Sequence, residues 1–178
     1  MTAPWNDWYH CNGNTYGTWL RGDPRGWRAR HHREHVDGDY KSPPTENFAA
    51  QHRKSQKLLV KPPVLLNAAQ SHAAGAAMVR RLLDAGIELL SLSLDDHHFH
   101  FVARFPDHRP RYYIGLAKQR AAHELTQHHG LEAPVWAKRG LCKPITSRAH
   151  QVRSVNYDID HGNRGAFVWT FRMARPAD

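Results

Sequence analysis

The sequence predicts an α+β fold: an antiparallel sheet with helices packed on one face, a long irregular insertion near the N-terminus and a further helix near the C-terminus. Three observations carry this. Stretches with a period of two alternate along the chain with stretches of helical period. Two of the period-two stretches, 87–94 and 98–105, are separated only by Asp95-Asp96-His97, a connection short enough to require antiparallel pairing. Hydrophobic residues make up 40% of the 178 positions, enough for one core, so a single domain over 1–178 is expected.

Residues 5–11 open the chain as a strand, with Trp5, Trp8 and Tyr9 as good strand formers. Gly and Pro punctuate 15–27 as turns and loop. From 28 to 63 no period emerges, and the segment reads as a long irregular basic insertion. It holds Arg28, Arg30 and Arg33 among histidines, followed by Pro43-Pro44. A helix starts at Asn67, whose side chain can cap it, with Gln70 placed for a capping box. Ala74, Met78, Leu82 and Ala85 form its apolar stripe, with Val79 and Leu83 beside them, and Gly86 stops it.

The strand 87–94 places Leu90, Leu92 and Leu94 on one face and Ser91 and Ser93 on the other. The next strand places His98 and His100 on one face and Phe99, Phe101 and Phe105 on the other. Pro106 and Pro110 precede a helix from about Arg111 to His128, with Ile114, Ala117, Ala121 and Leu125 inward and Lys118 off the stripe. Residues 135–145 read as a short strand carrying the exposed bases Lys138 and Arg139. Thr146 or Ser147 caps a last helix through about His161, with Val152, Val155 and Ile159 as its buried side. Gly162 to Gly165 turns the chain into a final strand, Ala166 to Phe171. The core of this order is a ferredoxin-like split β-α-β.

The formal net charge of +9 points to a polyanionic partner, nucleic acid above all. No apolar run reaches the roughly 18 residues of a membrane span. No helix pairs a basic face with a bulky apolar one, so no membrane partner is expected. Met1-Thr-Ala-Pro-Trp-Asn-Asp-Trp8 is not a basic start followed by an apolar block, so no signal peptide and a cytoplasmic location are expected. The two cysteines, Cys11 and Cys142, form no Cys-x-x-Cys pair and read as two unrelated reduced thiols.

His98 and His100 stand two apart on one strand face, where both imidazoles can approach one divalent ion. With 15 histidines in the chain, about one His-x-His is expected by chance, so the motif takes its weight from the amphipathic strand around it. Tyr157 and His161 lie four apart on the last helix and share a face. A tyrosine hydroxyl beside a nitrogen ligand suits metal-assisted phosphoryl transfer, with the tyrosine as nucleophile. His31-His-Arg-Glu-His35 has the wrong spacing for a zincin helix. The His-x-Glu and Pro-Cys-x-x-Cys of zinc deaminases are absent, as is a Gly-rich phosphate loop.

Asp96-His-His-Phe-His-Phe-Val102 and Tyr157-Asp-Ile-Asp-His161 resemble the HUH strand and tyrosine helix of the single-tyrosine HUH transposases, including the REP-associated tyrosine transposases. Tyr16 to Trp27 resembles the N-terminal signature of one branch, and Trp136-Ala-Lys-Arg139 resembles its segment before the final helix. The resemblance implies that Tyr157 forms a 5′-phosphotyrosine on single-stranded DNA and frees a 3′-hydroxyl. It implies that His98 and His100 bind Mg²⁺ or Mn²⁺, with His161 where the family usually has Gln or Asn as third ligand. His97 replaces an acidic residue that many members carry before the first histidine. Hairpin-bearing single-stranded DNA is the implied partner, held by Arg28, Arg30, Arg33, Lys118, Lys138 and Arg139, with nucleoid association when bound. Homodimers are common in the insertion-sequence branch. The alternatives are a domesticated, non-catalytic binder of structured DNA on the same fold, and an RNA-binding protein. The latter is disfavoured because the His-bearing strand lacks an aromatic stacking pair.

Overall fold

The computed structural model describes residues 5–27 and 46–171. Among them the order is β1 (Trp8–Thr15), α1 (Glu46–Lys57), α2 (Ala68–Asp84), β2 (Glu88–Leu94), β3 (His98–Arg104), α3 (Pro110–His128), β4 (Trp136–Pro144), α4 (Arg148–Asp160), a short 3₁₀ turn (His161–Arg164) and β5 (Phe167–Thr170). The strands form one antiparallel sheet in the order β4-β1-β3-β2-β5. The first four strands with α2 and α3 follow the β-α-β-β-α-β order read from the sequence, and β5 extends the sheet beside β2. No helix among the described residues is long and apolar enough to cross a membrane.

The starts of α2 and α4 follow from local chemistry. Asn67 accepts the Gln70 N–H at 2.9 Å, and the Gln70 side chain accepts the Asn67 N–H at 3.0 Å, a complete capping box. Ser147 caps α4 by accepting the His150 N–H at 3.1 Å.

One sheet face holds the apolar core. Phe99, Phe101, Ala103 and Phe105, with Leu92 and Leu94 from β2 and Cys11 from β1, lie under Ala74, Met78 and Leu82 of α2 and Ile114, Ala117, Ala121 and Leu125 of α3. Each large side chain buried there is worth about 1.5–3 kcal/mol of transfer free energy. The opposite face carries a smaller apolar group, Trp8, Val102 and Ile145 with Leu90 and Val155, and beside it the histidines. Alternation along β3 enforces this division. α2 and α3 therefore cover one face, and α4 covers the other.

Four expectations are corrected. β1 runs over 8–15 rather than 5–11. Asn12-Gly13-Asn14 is poor strand sequence, but β3 and β4 flank it on both sides, and Phe99 occupies the place of a side chain at Gly13: a Cβ there would meet the ring at 2.6 Å. The 28–63 segment, expected to be irregular, contains α1, whose Phe48 packs against Trp27 at 6.0 Å between ring centroids. In β2, Leu89 opposes Ala103 and Ser91 opposes Val102, so Leu90 is an extra residue in the ladder. This bulge exchanges faces: Leu89 enters the main core, and Leu90 joins the opposite face instead of Leu92 and Leu94.

The fourth correction concerns α4. Its buried residues are Gln151, Ser154 and Asp158, whereas Val152 and Ile159 are exposed. The sheet beneath offers Ser91 and His10 to Asp158, and polar groups are buried where they find partners.

Candidate metal and tyrosine site

β3 raises His98 and His100 toward α4, and His161 follows the last residue of α4. His161 is 2% exposed and His100 is 7% exposed. One ring nitrogen from each of His98, His100 and His161 lies within 4.8 Å of the others. Tyr157, one helical turn before His161, places its ring centroid 5.0 Å from that of His100 and 4.9 Å from that of His161. It is 43% exposed. The four residues come together within one chain.

Asp95, read from the sequence only as part of a turn, is the carboxylate behind this cluster. Its Oδ2 lies 2.7 Å from His98 Nδ1 and 3.7 Å from His161 Nδ1. Its Oδ1 accepts the backbone N–H groups of His97 at 2.9 Å and His98 at 2.7 Å. Burial alone would raise its pKa, but the neighbouring His161 and His98 rings and the bond from the His97 amide outweigh it and hold the carboxyl far below the usual range. The turn is itself pinned: Leu66 N–H donates to Asp96 O at 2.7 Å, Thr15 N–H to His97 O at 2.8 Å and Ser71 Oγ to Asp95 O at 3.0 Å. A negative group on Nδ1 directs Nε2 of His98 and His161 away from it, which is how a carboxylate orients metal-binding imidazoles.

Burial, then the neighbouring His98, His10 and His161 rings, push the pKa of His100 down to about 2. It is therefore neutral and keeps a lone pair. Both of its ring nitrogens, and Nε2 of His161, are buried with no hydrogen-bond partner among the described residues. Buried polar atoms are rarely left so. Three converging imidazoles, with orphaned nitrogens on His100 and His161, fit a small divalent cation.

A second polar group lies alongside. Asp158, wholly buried, accepts Ser91 Oγ at 2.6 Å and lies 3.2 Å from His10 Nε2. The His10 ring stacks on His100 at 5.4 Å and meets Tyr157 edge-on at 6.1 Å. His10 and Asp158 were not singled out from the sequence. The available signal was a polar stripe on α4 (Gln151, Ser154, Asp158, His161) running at helical spacing beneath the apolar residues.

No family model matches the sequence, and no curated protein matches it. Among solved structures, that of the REP-associated tyrosine transposase bound to a REP hairpin aligns with 91% of this chain and 72% of its own, at 13% identity and a TM-score of 0.49.

The basic residues singled out from the sequence fall in two groups. Lys118, Lys138 and Arg139 meet in one cleft of about 360 Å³ between α3 and β4, lined also by Arg111, Ile114, Gly115 and Gly140. The Lys118 amine donates to the Ala137 carbonyl, and burial lowers its pKa. Because α3 covers the face opposite α4, this cleft and the histidines lie on opposite sides of the sheet. Arg28, Arg30 and Arg33 lie outside the described residues.

Proposed function

We propose that the protein is a metal-dependent nickase and strand transferase for hairpin-bearing single-stranded DNA, acting through a 5′-phosphotyrosine at Tyr157. The carrying observation is that the Tyr157 ring lies within 5.0 Å of both His100 and His161, in the same chain as the histidine cluster. In this reading the Tyr157 oxygen attacks the scissile phosphorus and loses its proton. The P–O3′ bond breaks, leaving DNA joined to the tyrosine through its 5′-phosphate and a free 3′-hydroxyl. Attack by a 3′-hydroxyl on the phosphotyrosine reverses the step and rejoins strands.

His98, His100 and His161 would hold Mg²⁺ or Mn²⁺, which when bound polarises the phosphate. Asp95 fixes the orientation of two of those rings. Asp158 and His10 seat the helix that presents Tyr157. An all-imidazole set favours Mn²⁺ over Mg²⁺, which prefers oxygen. Lys118, Lys138 and Arg139 would hold backbone phosphates.

The test is incubation with Mn²⁺ and a labelled hairpin-bearing single strand, read as a covalent adduct on a denaturing gel. The adduct is expected from the native protein and not from Tyr157→Phe; equal adduct from both would overturn the reading. A second reading, a non-catalytic binder of structured DNA, is favoured by the basic cleft lying across the sheet from the histidines. Binding that survives chelation and His98→Ala, with no cleavage of varied hairpins, would select it.

A further inference from the structure

The chain holds two cysteines, far apart in sequence, and the fold brings them together. In the ladder between β1 and β4, Cys11 lies directly opposite Cys142. Directly opposed residues of antiparallel strands have Cα atoms about 4.5–5.5 Å apart, inside the roughly 4.4–6.8 Å that a disulfide spans. Both side chains point to the same sheet face, since Cys11 belongs to the main core and Cys142 packs against it. Each thiol shifts the protonation of the other. Both cysteines are free thiols in this structure.

The two sulfurs differ in surroundings. Cys11 is fully buried, whereas Cys142 is half-exposed on the edge strand, with Arg111 nearby. Burial, then the bond and charge of its neighbour, push the Cys11 thiol well up. The bond from Cys11, aided by the Arg111 charge, draws the Cys142 thiol down despite its own partial burial. Thiolate character and access therefore coincide at Cys142.

We propose that Cys11 and Cys142 are a redox pair that closes a reversible cross-strand disulfide, Cys142 meeting the oxidant and Cys11 resolving it. With a hydroperoxide as oxidant, the Cys142 thiolate attacks the peroxide oxygen. The O–O bond breaks, hydroxide or alkoxide leaves, and Cys142 becomes a sulfenic acid. The Cys11 sulfur attacks the Cys142 sulfur, the S–O bond breaks, and hydroxide leaves with the Cys11 proton as water. The two thiols have together lost two electrons and two protons to the peroxide. An external dithiol reverses the change by exchange at Cys142, the accessible sulfur. The bond would tie edge strand β4, which carries Lys138 and Arg139, to β1, which carries His10. It does not depend on the reaction proposed for Tyr157.

Because the chain has only these two cysteines, intact mass reads the pair directly. The full-length protein is treated with a small excess of hydrogen peroxide, denatured in N-ethylmaleimide and weighed without reductant. The expected product is a monomer two hydrogens lighter, with no maleimide added, that regains two maleimides after dithiothreitol. In Cys11→Ser, peroxide should leave a Cys142 sulfenic acid that dimedone traps. Two maleimides on the peroxide-treated protein, a sulfinic acid in place of the disulfide, or disulfide-linked dimers would each overturn the proposal. The wild-type measurement decides it even if the variant fails to fold.

Discussion

Replacing Tyr157 by phenylalanine removes one oxygen and leaves the ring between His100 and His161. The variant should still fold, which circular dichroism checks, and adduct formation should fall by at least about 10³-fold, since a missing nucleophile has no substitute. Asp95→Ala acts one step back, by freeing the rings of His98 and His161. Mn²⁺ affinity should drop by about 10–100-fold, read by calorimetric titration. His100 supplies a pH dependence for the metal-free protein. Its folded pKa of about 2 lies below an unfolded value near 6.5, so the unfolded chain binds more protons between the two. Stability is full above about pH 6.5 and is lost as pH falls toward 2, by about 2 kcal/mol between pH 7 and 5. Urea midpoints at the two pH values should shift accordingly, and the shift should shrink in His100→Gln.

At the scale of elements, α4 behaves unlike its neighbours. α2 and α3 were legible because their caps and apolar stripes are local: Asn67 with Gln70, and Ile114 through Leu125, each sit within one helix. The face of α4 was not legible, because what decides it is the polar floor of β2 and β3. The same holds for the Leu90 bulge, visible only once Leu89 is paired with Ala103, and for Asp95, whose partner His161 is distant in sequence. The tyrosine and three histidines were readable as residue types at helical and strand spacings, whereas His10 and Asp158 meet across the fold. Substitutions should reflect this inversion. Asp158→Ala leaves Ser91 Oγ and His10 Nε2 without their buried partner and should cost about 2–3 kcal/mol. Val152→Ala, on the exposed side, should cost under about 0.5 kcal/mol despite removing apolar carbons. Chemical denaturation of both variants tests the pair together.

At the scale of the whole molecule, the proposed function has the four cations of the α3–β4 cleft, Arg111, Lys118, Lys138 and Arg139, act on one polyanion. Each phosphate neutralised on a single strand contributes about −0.7 to the slope of log affinity against log salt. If all four engage, the slope should be roughly −3, and Lys138→Ala should reduce its magnitude by about 0.7 without altering sequence preference. Anisotropy titrations on single-stranded DNA at several salt concentrations measure it. The sheet is also a partition between two kinds of adhesion. Below it, α2 and α3 are held by carbon; above it, α4 adds to the apolar contact of Val155 a carboxylate, a hydroxyl and imidazoles. Urea and acid should therefore dismantle the molecule in different orders. Mild acid, by favouring the state in which His100 is released and charged, should loosen α4 first. Its amides would then exchange hydrogen early, while those of α2, α3 and the central strands stay protected until global unfolding. A helix seated by directional bonds has one seat: it sits in register or comes away, and it cannot slide by a turn as an oiled surface would allow. The tyrosine it carries would thus be either at the histidines or wholly released.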